Sequence, residues 1–138
     1  EFGMWGGDDP DERKPLWWEE LKIEPENRNN LKPGPKIPEE TGFNRPLFEY
    51  YKKLTGIRRN NPVLANGKIE FIRAEKEILI YKRYNNDGTI YVMFNTGNTP
   101  EEVTLPGSGK YIDLLTNEES GSGKIALPGM HAKILKEL

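Results

Sequence analysis

From Asn66 to the C-terminus, short strand-like runs alternate with explicit turn chemistry, and this rhythm constrains the fold more than any other feature. Residues 69–72, 78–84, 90–94, 102–105, 111–115, 124–127 and 132–135 are short and rich in β-branched or aromatic side chains. Between them lie Asn85-Asn86-Asp87-Gly88, Asn95-Thr96-Gly97-Asn98, Pro106-Gly107-Ser108-Gly109, Glu119-Ser120-Gly121-Ser122-Gly123 and Pro128-Gly129. Gly, Asn, Asp and Pro end strands because they adopt backbone angles, or make local hydrogen bonds, that a ladder does not use. Strands recurring at roughly 8–12-residue spacing predict an antiparallel β-sandwich with Greek-key connections. Side chains alternate along a strand, so Ile90, Val92 and Phe94 should face one way and Tyr91 and Met93 the other. The Gly-Ser-Gly runs at 107–109 and 121–123 lack the eight-residue phosphate-loop pattern and a following helix, and read as turns.

Upstream, the pattern changes period. Residues 45–60 predict an amphipathic helix: Phe48, Tyr51, Leu54 and Arg58 fall at helical spacing, flanked by Leu47, Tyr50 and Ile57. Asn44 suits the N-cap, Pro46 the first turn, and Arg58 and Arg59 the negative end of the helix dipole. Asn60-Asn61-Pro62 stops the helix. Residues 1–44 hold most of the prolines and predict irregular structure, with only 16–23 able to form a short helix. So long an irregular arm has to rest on a surface. A helix with one apolar face, placed ahead of a sandwich that has its own core, belongs to something larger.

Composition excludes several functions. The formal charge is −2 and the Lys and Arg residues are scattered, so there is no electrostatic footprint for nucleic acid. No apolar run approaches the roughly 20 residues that span a bilayer, and no signal peptide opens the chain. Localisation stays open, because the chain is expected to begin inside a longer protein. Absence of cysteine rules out disulfides, thiolate zinc sites and thiol nucleophiles. Abundant Lys and Glu without Cys fit a heat-adapted source.

The chemistry concentrates in residues 1–18, where a glycine-loosened turn precedes four carboxylates, Arg13 and the Trp17-Trp18 pair, with Trp5 ahead of them. Aromatic rings that cover sugar faces, beside carboxylate and guanidinium groups that bond hydroxyls, make up a carbohydrate site. Asp9 and Arg13 stand four residues apart, close enough for one loop to present both to a single sugar unit. Asp8, Asp9, Asp11 and Glu12 would also suit an exposed loop or a calcium site, although EF-hand spacing is absent. No cofactor and no metal are expected. Of the two adjacent tryptophans, Trp18 is expected in the core. His131, the sole histidine, falls in the last strand and reads as structural.

Three stretches carry a resemblance to a known family. Glu1-Phe2-Gly3-Met4, Gly6-Gly7-x-Asp9-Pro10-Asp11-x-Arg13 and Pro15-Leu16-x-Trp18 resemble the segment after the eighth barrel strand of the α-amylase family, glycoside hydrolase family 13. The likeness is greatest to its neopullulanase, cyclomaltodextrinase and maltogenic amylase branch. Phe48-x-x-Tyr51-x-Lys53-Leu54-x-x-Ile57-Arg58-x-x-Asn61-Pro62-Val63-Leu64 is similar to that family's eighth barrel helix and its exit. Tyr111-x-Asp113-Leu114-Leu115, Ile125-x-Leu127-Pro128 and Lys133-Ile134-Leu135 resemble the closing strands of its C-terminal domain.

The resemblance implies that residues 1–62 are the end of a (β/α)8 catalytic barrel and 63–138 a C-terminal β-sandwich. It implies that Asp9 and Arg13 bind a glucosyl unit, with Trp5 at the cleft rim, in keeping with active sites built at the C-terminal ends of barrel strands. The catalytic carboxylates would come from earlier strands, so none is expected in this chain, and the chain alone is expected to be inactive. The expected partners are an α-glucan oligosaccharide and the upstream barrel of the same protein; nucleic acid and membrane are not expected. Residues 19–41 make a longer link than usual, which could reshape the cleft edge. A free-standing starch-binding module and a purely structural docking domain stand as alternatives.

Overall fold

The computed structural model describes residues 3–4, 15–25, 42–106, 109–121 and 123–138. The chain divides into two compact units, Glu1–Leu54 and Thr55–Leu138. Helix α1 spans Arg45–Asn60, as the periodicity predicts. The Asn44 side chain caps it, with Oδ1 accepting from the Leu47 amide at 3.1 Å. At the other end Asn61 Nδ2 donates to the Ile57 carbonyl at 2.8 Å, and Arg58 donates to the Leu64 carbonyl at 2.8 Å. These bonds use carbonyls that a helix end leaves without partners. A single-turn helix that the sequence did not reveal, α2 (Val63–Asn66), follows Pro62. Residues 16–23 form no helix. They hold one turn, in which the Leu21 amide donates to the Trp18 carbonyl at 3.0 Å, since this segment lacks both a cap and a periodic apolar face.

Among the described residues eight strands follow: β1 (Lys68–Glu75), β2 (Ile78–Asn85), β3 (Gly88–Asn95), β4 (Glu101–Thr104), β5 (Tyr111–Asp113), β6 (Glu119–Ser120), β7 (Lys124–Leu127) and β8 (His131–Glu137). The main sheet has six strands in the order β1-β2-β3-β8-β5-β6, and β4 and β7 pair as a second, two-stranded sheet. Every pairing is antiparallel. The fold is therefore mostly β, a sandwich of unequal layers in which the last strand returns to lie between β3 and β5. β6 occupies part of what reads as a turn in the sequence, because Ser120 and Glu119 find Tyr111 and Ile112 as partners.

Alternation in β3 explains the two cores. Tyr91 and Met93 face the smaller sheet and pack with Ile80, Val103, Tyr111, Ile125, Leu127 and Leu135. Ile90 and Val92 face the other way and pack with Val63 and Leu64 of α2, joined by Ile57, Tyr81, Leu114 and Ile134. A strand buried on both faces is a near-continuous apolar run, which is how 90–94 reads. Fully burying each such side chain contributes roughly 1.5–3 kcal/mol. A bulge in β1 between Phe71 and Arg73 shifts the register, and Ile72 packs against the first core.

Two buried polar side chains tie strand ends to their neighbours, Asn95 across the two layers and Asp113 within the main sheet. Asn95 is 2% exposed; its amide donates to the Thr99 and Leu127 carbonyls, and its carbonyl oxygen accepts from the Gly97 amide. Asp113 is 3% exposed; it accepts from the Leu115 amide at 2.9 Å and sits 3.4 Å from Lys133 Nζ. Beside the first of these the backbone approaches so closely that a Cβ on Gly129 would meet the Asn98 carbonyl oxygen at 2.4 Å. Only glycine fits there.

Candidate functional site

Asp9, Arg13 and Trp5, the predicted sugar-binding residues, lie outside the described residues. What is described is the chain before and after them in sequence, within the first unit. On one side Gly3 takes a positive φ of 81°, and a Cβ there would lie 3.1 Å from Asn44 Cβ. Gly3 thus lies close against the residue that caps α1. On the other side Trp18 stacks on Phe43, with centroids 6.2 Å apart and planes 25° apart, and meets Phe48 edge-on at 6.4 Å. Phe43 and Phe48 are themselves 5.0 Å apart. Arg45 places its guanidinium 5.5 Å over the Phe43 ring and pairs with Glu19.

Trp18, expected in the core, is the open one of the pair, and Trp17 is the buried one. Trp17 is 3% exposed, whereas Trp18 keeps 43% of its surface open. Adjacent side chains in extended backbone point oppositely, and sequence alone does not say which direction meets the interior. A hollow of about 370 Å³ opens between Trp17, Trp18, Glu19, Leu21, Lys22 and Gly42. An aromatic wall beside a carboxylate and an ammonium can hold a hydroxyl-bearing ring, but it contains no nucleophile paired with a base.

In the second unit two tyrosines are perturbed by burial in the core. Burial pushes the Tyr91 phenol up to about 12, and the charges of Glu137, Tyr111 and Glu70 add to the shift. Burial also raises Tyr111, reinforced by Glu137. Both hydroxyls donate to the Pro106 carbonyl, at 3.0 and 3.2 Å, from rings set edge-on 5.7 Å apart. They hold the β4–β5 connection. His131 Nδ1 contacts the Gly129 carbonyl of its own turn at 2.7 Å. Among the described residues no three His, Cys, Asp or Glu side chains gather in a way that could hold a metal ion, and no helix is long and apolar enough to cross a membrane.

No protein-family model matches the chain. Individual relatives do. Neopullulanase 2 of Thermoactinomyces vulgaris is 32% identical over 125 residues, covering 86% of this chain and 18% of the relative. A cyclomaltodextrinase of Geobacillus thermopakistaniensis is 29% identical over 123 residues, with the same coverage of 86% and 18%. Alpha-amylase 3 of Dictyoglomus thermophilum is 33% identical, covering 99% of this chain and 30% of the relative. The chain spans about a fifth of the length of the first two. Among solved structures, an Anoxybacillus α-amylase superposes with a TM-score of 0.70 at 21% identity, over 96% of this chain and 26% of that one. A Thermus thermophilus protein superposes with a TM-score of 0.71 at 24% identity, over 99% and 26%. The sequence likeness and the fold point to the same group of proteins.

Proposed function

We propose that this chain, which belongs to the α-amylase family, is the C-terminal part of an α-glucan-acting glycoside hydrolase akin to the cyclomaltodextrinases, neopullulanases and maltogenic amylases. In this reading the parent enzyme hydrolyses α-1,4-glucosidic bonds in maltodextrins, cyclodextrins or pullulan. Residues 1–62 close its (β/α)8 barrel and residues 63–138 form the β domain that covers barrel surface. Asp9 and Arg13 bond the hydroxyls of one glucosyl unit, and Trp5 stacks at the rim. The carboxylates that break the bond come from the barrel strands that precede this segment in the family, so the chain positions substrate and leaves the chemistry to them.

One observation carries this reading. Helix α1 has sixteen residues and an apolar face built from Leu47, Phe48, Tyr51, Leu54 and Ile57, yet not one of its residues is buried. An isolated helix of that length is marginal in water, and tertiary packing of the apolar face normally supplies most of its stability. The main sheet leaves apolar surface open in the same way: Ile69, Phe71 and Phe94 of β1 and β3 are 51%, 61% and 37% exposed. A barrel wall would cover such surfaces.

The test is to express the chain joined to its upstream barrel and to follow a chromogenic maltooligosaccharide. Hydrolysis is expected from the joined protein and not from the chain alone. Asp9→Ala and Arg13→Ala in the joined protein should each lower kcat/KM by roughly one to two orders of magnitude, because each strands a polar group in the cleft. Normal kinetics in both variants would sink the sugar-contact assignment.

A further inference from the structure

The β domain has a polar hollow of about 480 Å³, lined by Asn66, Lys68, Tyr84, Asn85, Asn86 and Asp87, at the turn joining β2 to β3. From its geometry we propose that this hollow is an α-glucan-binding site carried by the β domain itself. The choice of glucan among neutral sugars rests on the functional reading above.

Two of the lining side chains, Asn85 and Tyr84, are held before any ligand arrives. The Asn85 side chain is held at both ends: Nδ2 donates to Asn66 Oδ1 at 3.2 Å, and Oδ1 accepts from the Asp87 amide at 2.8 Å. Lys68 and Tyr84 are paired across β1 and β2, so their side chains share one face. Lys82 lies 5.0 Å over the Tyr84 ring and holds it from one side. Groups already ordered cost less to engage than free side chains do.

The hydrogen-bonding capacity left over is what a hydroxyl-rich ligand needs. The Lys68 ammonium and the Asp87 carboxylate have no ion-pair partner among the described residues, and the Asn66 and Asn86 amide nitrogens have none of their own. One positive and one negative group cancel, which disfavours phosphate or any other anion. Amides, a carboxylate and an ammonium around an aromatic ring suit a neutral ring with hydroxyls at its rim and an apolar face. The volume lies within the range of small-ligand sites.

The experiment follows backbone amide resonances of the 138-residue chain during titration with maltoheptaose, with cellohexaose as the sugar of other linkage. Saturable shifts are expected at 66–68 and 84–88 with maltoheptaose. Tyr84→Ala and Asp87→Ala should each weaken that binding about tenfold, and Lys124→Ala should leave it unaltered. Should Tyr84→Ala fail to fold, Asp87→Ala decides alone. Absent saturable shifts at these amides, equal shifts with cellohexaose, or unaltered affinity in Asp87→Ala would overturn the site. Shifts there, combined with no activity after joining the barrel, would keep this site and reject the hydrolase reading. Activity without such shifts would do the reverse.

Discussion

The two units of this chain reach order by different means. In Thr55–Leu138, two clusters of buried side chains lie on opposite faces of one sheet, and β3 contributes to both. Among the described residues of Glu1–Leu54, only Trp17 is buried; the remaining order comes from aromatic pairs around Trp18, the Asn44 cap and the Glu19–Arg45 pair. The lesson concerns where apolar surface goes. The second unit hides most of its large apolar side chains and leaves Ile69, Phe71 and Phe94 open at the surface of its sheet, whereas the described part of the first unit buries one.

The sharpest test of that contrast is truncation in each unit, read from urea midpoints of the chain. Met93 is completely buried, so Met93→Ala should cost roughly 2–5 kcal/mol. Phe48, half-buried on α1, should cost about 1 kcal/mol when truncated in the same chain. Equal costs would break the comparison.

Next in size is a pH effect confined to the second unit. The folded Tyr91 phenol, raised to about 12, lies above its ordinary value, so the fold favours the protonated form. Its contribution is fully present below about pH 10 and is lost as the pH rises through about 12, a fall of roughly 2–3 kcal/mol. Tyr91→Phe should flatten that part of the stability curve, as measured by thermal melts from pH 8 to 12. An unchanged alkaline limb would refute the assignment to Tyr91.

A smaller effect belongs to the first unit. Asn44→Ala removes the cap on α1 and should cost about 1 kcal/mol, visible as faster amide exchange in the first turn of the helix. Slower exchange there than in β3 would contradict the picture of an uncovered helix. Smallest of all is the exposed Lys124–Glu102 pair, 2.7 Å across the two-stranded sheet; Lys124→Ala should change stability by less than about 0.5 kcal/mol.

Much of the second unit is legible from local signals. The alternation of 90–94 names both faces of β3 correctly, and Asn85–Gly88 marks the β2–β3 hairpin with its closing pair. The helix is legible from end to end, since cap, period and stop all agree. The candidate site is less so. Asp9, Arg13 and Trp5 stand out only through family resemblance, and they lie outside the described residues. The hollow beside Tyr84 is invisible in the sequence because Asn85-Asn86-Asp87 reads as punctuation, and it joins Asn66 and Lys68 only once β1 lies beside β2.

The sequence by itself determined the hairpins, the helix and the side-chain alternation, because each depends on residues a few positions apart. Tertiary structure alone decided that β4 and β7 leave the main sheet, that β8 enters between β3 and β5, and that Trp17 is buried in place of Trp18. Those outcomes depend on which distant surfaces meet, and short-range propensity carries no record of distant partners.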